Sequence, residues 1–357
     1  DLHSFPTRRS SDLMADALVS ATVAGTMYAL SAGAAAYSVK KIRLENDDKK
    51  IPVMGVMGAF IFAAQMINFT IPGTGSSGHL CGGMLLTALL GPYAAFLTLI
   101  SVLLIQCLFF ADGGLLAFGC NVWNMAFYGC FLGYFLVWKP IIKNGINKAR
   151  IITASILGSV ISLQFGAFSV SVETKISGIT ELPFMTFVKT MQPIHLAIGL
   201  VEGLITAAVL VFIYESRPEM LGTNENENFA THETNTAFPQ TDFTKKLSLK
   251  KILTILFTVT LVTGGIISLF ASSHPDGLEW SIAKLTGSTD ISGNSDKVHS
   301  VFSSIQSMLS FLPDYAFKNS DTVGGTSFSG IAGSLIVLIL CTVICLIIRS
   351  VSRHKNK

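Results

Sequence analysis

Charge is what this sequence has least of. Only 13% of its 357 residues are Asp, Glu, Lys or Arg, against about 25% in a typical soluble domain. A hydrophobic content of 50% and a mean hydropathy of +0.57 go with that deficit and point to a lipid environment. Several signatures are also missing. There is no HExxH, which excludes that class of zinc intramembrane protease, and no GxxxxGK[ST], so this chain does not energise transport with ATP through a P-loop of its own. No Arg-rich voltage-sensing helix and no TVGYG filter are present, which excludes those channel types. The six cysteines (Cys81, Cys107, Cys120, Cys130, Cys341 and Cys345) have no CxxC spacing and lie in apolar segments. There they read as small packing residues. The opening residues have no apolar core followed by a small-residue cleavage site, so they do not read as a signal peptide.

What is present is a series of long uncharged runs. About 20 apolar residues cross a bilayer core, and such runs cover 16–39, 51–71, 79–111, 117–138, 151–172, 194–214, 251–271 and 331–348. The expected fold class is an all-α polytopic membrane protein. Basic residues, which favour the cytoplasmic side, cluster at 40–50 (KKIRLENDDKK), 139–150 (KPIIKNGINKAR), 245–251 and the tail after 348. If all four lie inside, an even number of crossings separates neighbours. The stretch 79–111 then crosses twice, broken at Gly91-Pro92, with a short piece at 79–90 and a second helix from 93 where Pro92 suits a first turn. This gives about nine segments, seven within 14–214 and two after it. The N-terminus, 72–78, 111–116, 173–193 and an outer loop 272–330 are expected outside, and the C-terminus in the cytoplasm. Residues 215–249, rich in Asn, Glu and Thr, read as a flexible cytoplasmic linker.

Three polar clusters interrupt the apolar runs. In QMINFTIPGTGSSGHLCGG, Gln65 and Asn68 precede a glycine-bearing loop, and His79 is expected to open the short helix. A histidine at membrane depth is costly without a partner. It is therefore either a functional group or one satisfied by Gln65 or Asn68. In DGGLLAFGCNVWNM, Asp112 and Gly113-Gly114 form a turn, while Asn121 and Asn124 share a helical face. They serve either interhelical hydrogen bonding or the lining of a pocket. In QPIHLAIGLVEG, His195 and Glu202 lie two turns apart on one face, and Glu202 could pair locally, orient an imidazole or meet a partner subunit.

These blocks carry a family resemblance. QMINFTIPGTGSSGHLCGGMLLTALLGPYAAFLTL, FFADGGLLAFGCNVWNM and PIHLAIGLVEGLIT resemble, in order over 14–214, the CbiM/NikM family. Its members are substrate-binding membrane components of energy-coupling-factor (ECF) transporters for cobalt and nickel. Residues 250–357, with HPDGLEWSIAKL from His274, resemble the small CbiN/NikN-like PDGLE subunit, here fused behind the linker. The resemblance implies a seven-helix bundle plus a two-helix module in a bacterial or archaeal plasma membrane. It implies Co(II) or Ni(II) as transported substrate, and as partners a transmembrane coupling subunit and two cytoplasmic ATPases. It also implies a nitrogen-rich metal site. An N-terminal Met-His pair supplies amine, backbone nitrogen and imidazole, and the histidine of the GxSGHL block, His79, completes it. Such a tetragonal set suits Ni(II), and related geometry admits Co(II). Deprotonation of the amine and amide makes affinity fall in acid. Gln65, Asn68, Asn121 and Asn124 are then expected behind the ligands or in the pocket wall, and His195 and Glu202 in coupling or structural roles.

The chain departs from the family at its start. Met14-Ala15-Asp16-Ala17-Leu18-Val19-Ser20 matches the usual opening from its third residue on, but the Met-His pair is absent. DLHSFPTRRSSDL stands before Met14 and can be spelled in codons that resemble a common sequencing-library adapter. Residues 1–13 are therefore expected to be non-native, and His3 is not taken as a ligand. Two other functions compete. An intramembrane serine protease would use Ser77 in the GxSG block with His195 as base. An assembly subunit of a metal uptake system would have no binding site of its own.

Overall fold

The computed structural model describes residues 13–42, 50–221, 248–289, 296–318 and 324–355, with side chains to 351. Most of the sequence called adapter-like and most of the linker fall outside the described residues. What is described is almost wholly helical, as the composition requires. In lipid, a helix satisfies its backbone within the segment.

Helix α1 (Ala21–Lys41) starts behind Ser20, whose hydroxyl accepts the Val23 N–H. It ends on two lysines, the charge that suits a helix C-terminus. Helix α2 (Lys50–Gln65) stops short of the expected 71. The chain turns there into an antiparallel hairpin, β1 (Phe69–Ile71) against β2 (Ser76–Gly78). Gly73 and Gly75 take positive φ in the connecting turn, and turn chemistry overrides the apolar pattern of Phe-Thr-Ile. Helices α3 (Gly83–Leu90) and α4 (Pro92–Phe110) follow, divided at Gly91-Pro92 as expected. His79 therefore precedes α3 in an extended segment and does not open it. Helix α5 (Phe118–Ile142) is wound wider than an α-helix over Val122–Trp138.

Helices α6 (Lys148–Ser177) and α7 (Phe184–Ser216) run past the expected spans, so the connection expected at 173–193 is reduced to 178–183. The apolar window ends at 172, but helical hydrogen bonding does not, because Glu173 and Thr174 are buried against protein. Helix α8 (Leu249–Gly265) opens the second module, and α11 (Gly324–Lys355) closes it. Between them the expected outer loop contains two further helices, α9 (Gly277–Thr286) and α10 (Lys297–Leu309). Among the described residues, five helices are long and apolar enough to cross a membrane: α4, α5, α6, α7 and α11. Helix α2 is a shorter apolar one. The chain is an all-α, multi-pass membrane protein.

Small residues set the close contacts. The Gly199 and Gly203 backbones of α7 lie against Val160 and Ile156 of α6, where a Cβ would come within 2.9 and 2.6 Å of their Cα atoms. The C-terminal module is seated on the first one. Thr342 of α11 lies where a side chain at Gly55 of α2 would go. One end of the bundle gathers the hairpin, the Met14 segment, the turn at Asp112–Gly114 and the α9–α10 region. The basic ends of α1, α2, α5 and α6 lie at the other.

Candidate metal centre

The hairpin delivers His79 into the bundle, and four residues hold it there. Ser77, just ahead, donates from its hydroxyl to the carbonyls of His274 (2.8 Å) and Pro275 (3.3 Å). Its own N–H donates to the Pro275 carbonyl at 2.7 Å. Behind His79, Gln65 Nε2 donates to the Cys81 carbonyl (2.9 Å) while its oxygen accepts from Gln106 (2.9 Å). Glu202 Oε2 accepts from Cys81 N (3.0 Å) and Oε1 from Gly82 N (3.1 Å). A helix leaves its first N–H groups without internal partners, and a carboxylate also suits the positive end of α3. Glu202 thus secures the backbone that follows His79. Gly82 is required at the bend, since its φ is +82° and a Cβ would meet Ile61 at 2.5 Å.

Two imidazoles face one cavity. His79 and His195 are 2% and 5% exposed, which places both inside the bundle. His79 Nδ1 lies 3.1 Å from the Leu80 carbonyl and His195 Nδ1 2.8 Å from the Met191 carbonyl. A carbonyl only accepts, so Nδ1 is the donor in each pair and Nε2 lies on the far side of the ring. That is the arrangement in which a histidine ligates metal. Both rings line a cavity of about 40 Å³ together with Asn124, Cys81, Met125 and Met191. A water occupies roughly 10–15 Å³ on this scale, so an ion with one or two waters fits.

The Met14 segment is held beside the cavity. Met14 N donates to Asn121 Oδ1 (2.7 Å), and the Met14 carbonyl accepts from Asn121 Nδ2 (3.1 Å) and Gly114 N (2.9 Å). Asn121 therefore reads main chain and lies behind the cavity. Asp16 accepts from Ala117 N at 2.9 Å. Burial raises its carboxyl above the usual range, while the Ala117 and Leu116 amides and His299 pull it back. Asn124 does line the cavity. Its Nδ2 donates to Glu173 Oε2 (2.8 Å) and reaches the Met14 sulfur (3.5 Å). Its Oδ1, and Glu173 Oε1, are buried with no hydrogen-bond partner among the described residues.

The α9–α10 region closes this end. Ser272 N donates to the Asn68 carbonyl (2.7 Å) and Trp280 Nε1 to the Thr74 carbonyl (2.9 Å). His299 donates to Asp296 Oδ1 (2.8 Å) and reaches the carbonyls of Asp16 (3.1 Å) and Val19 (3.0 Å). Asn68 thus serves the joint through its backbone. Ser77 is a joint residue as well. Its hydroxyl is engaged by the PDGLE segment rather than by His195, which removes the nucleophile–base pair a protease requires. Reading the sequence placed Met14 only as the start of the family match, and missed Glu173 and His299. Only Glu173 left a signal, as an acid at the edge of an apolar run. Among the described residues no three His, Cys, Asp or Glu side chains cluster as a metal site, so further donors must complete one.

Residues 14–220 match the family model described as CbiM, cobalt uptake substrate-specific transmembrane region. The chain belongs to the CbiM family. Residues 250–350 match the PDGLE domain. A putative fused nickel transport protein NikMN of Archaeoglobus fulgidus is 32% identical over 325 residues, covering 91% of this chain and 95% of that one. A cobalt transport protein CbiM of Sorangium cellulosum is 32% identical over 184 residues, covering 50% and 80%. A crystal structure titled as a transition metal transporter superposes with a TM-score of 0.51 at 26% identity, covering 61% of this chain and 98% of that one. CbiM relatives are metal transport proteins, not enzymes.

Proposed function

We propose that this chain is the substrate-binding component of an ECF-type importer for Co(II) or Ni(II). It captures the ion at the hairpin end, taken as outside, and passes it inward with a coupling subunit and two ATPases. The names of the relatives support nickel or cobalt as cargo. The basic residues at the opposite end support the orientation. The observation that carries the reading is that Asn124 touches both the Met14 side chain and the cavity that His79 lines. Met14 therefore lies beside the cavity, and in this reading a Met-His pair joined to it adds its nitrogen donors there. In this reading residues 1–13 stand in place of that pair, 14–214 form the binding domain, and the module from 250 braces it through the hairpin.

Metal titration tests this, comparing the chain as it stands with one in which residues 1–13 are replaced by Met-His. The replaced form is expected to bind far more tightly, to lose that affinity with His79→Ala, and to weaken as pH falls. Equal tight binding by both forms refutes the role given to the pair. Absence of binding in either leaves the assembly subunit as the better account.

A further inference from the structure

We infer that the cavity is a metal station in its own right, with His79 Nε2, His195 Nε2 and Asn124 Oδ1 as its ligands. The inference rests on the reading of His79 as a metal ligand and adds two donors from other helices. His195 comes from α7, Asn124 from α5, and all three residues line the same cavity. Each imidazole is held by a carbonyl on Nδ1, at 3.1 Å for His79 and 2.8 Å for His195, which turns the basic nitrogen of the ring to the other side. Asn124 is the independent sign of a ligand. Its amide nitrogen is taken up by Glu173 at 2.8 Å, but its oxygen is buried without a partner among the described residues. A buried acceptor left in that state is costly, and a cation would satisfy it.

The electrostatics agree. A divalent ion inside the bundle needs compensating charge nearby. Glu173 accepts from the Asn124 amide nitrogen directly behind the cavity and, once ionised beside a bound cation, polarises that amide so that its oxygen becomes a better donor. Glu202 is a second carboxyl, set behind His79 by the Cys81 and Gly82 amides. Two imidazoles, one amide oxygen and one or two waters make a mixed nitrogen–oxygen set of four or five ligands. That differs from an all-nitrogen tetragonal one, and the difference is visible spectroscopically. Ni(II) in the mixed set is paramagnetic, whereas planar Ni(II) bound by four nitrogens is diamagnetic. Such a site holds an ion that has left, or has not reached, donors ahead of Met14.

The test uses nickel chloride with the purified full chain as it stands, in detergent. X-ray absorption is expected to show one four- or five-coordinate Ni(II) with two imidazoles, and its magnetic moment that it is paramagnetic. His195→Gln and Asn124→Ala are each expected to weaken binding at least tenfold. The imidazole count needs no variant, so a substitution that fails to fold does not decide the matter. A count of one or none, or unchanged affinity in a folded His195→Gln protein, overturns the station. If the Met-His form then still binds tightly through His79, the proposed function stands without it. If that form also binds equally well after His79→Ala, the proposed function falls as well.

Discussion

Glu202 does its work through two hydrogen bonds to main chain, and this makes its charge testable. Glu202→Gln keeps the shape but replaces one accepting oxygen by an amine that faces a backbone N–H. Leaving such a donor unsatisfied costs about 1–3 kcal/mol. The segment after His79 should loosen, and residues that orient metal ligands typically change affinity about 10–100-fold. A titration with nickel and a thermal melt check this. Unchanged affinity in a folded Glu202→Gln protein would remove Glu202 from the support of His79. The polar residues of the site were legible as interruptions of apolar runs, which is how His79, His195, Asn121, Asn124 and Glu202 stood out. Their division of labour was not, because a hydrogen bond from Asn121 to a backbone over a hundred residues away leaves no pattern in sequence. The contact of the Met14 side chain with Asn124 was not legible either, since a methionine side chain reads as core.

At the scale of elements, helix ends and the hairpin were the least legible features. Hydropathy marks where a helix can meet lipid, and α6 and α7 continue beyond that limit because protein covers them. The region between α8 and α11 read as a loop, yet α10 carries the joint to the N-terminal segment through His299. Both ring nitrogens there face acceptors, a geometry that favours the doubly protonated ring. Burial opposes the charge, but Asp296 and the carbonyls of Val19 and Asp16 outweigh it, so the His299 pKa is raised. Asp296 is correspondingly lowered, by the His299 backbone N–H first and its side chain next. The joint should therefore be fully supported below about 6.5, the ordinary histidine value, and weaken as pH rises through the raised one. Protection of the Asp16–Val19 amides from hydrogen exchange, relative to their intrinsic rates, should fall in that alkaline direction. His299→Ala should leave that protection low throughout. Protection factors that ignore pH in the unaltered protein would show that the charge of His299 does not matter to docking.

Across the whole molecule, two matched regions form one packed body, and the seam is α2 against α11. Gly55 faces Thr342 and Leu338 so closely that a Cβ would lie 2.8 Å from the Thr342 hydroxyl. Without a hydrophobic driving force between helices in lipid, such close approach of small residues is what holds them. Residues 1–221 and 248–357 expressed as separate chains should consequently co-purify. Gly55→Leu, overpacking the seam at a cost of about 1–3 kcal/mol, should separate them. Co-purification unaffected by that substitution would place the attachment elsewhere, at the hairpin or the His299 joint. The order of helices could be read from sequence; this seam could not, since nothing in a glycine announces which helix approaches it. The pairing of Asn121 with Met14 has its own consequence at this scale. Both bonds go to the main chain of residue 14, so Asn121 fixes a position along the chain without reading the side chain that Asn124 meets. It works as a ruler. A residue inserted just ahead of Met14 would move everything before it by about 3.4 Å, more than the length of a metal–nitrogen bond. The distance from the first residue to the clamp would then matter to metal capture as much as the identity of any ligand.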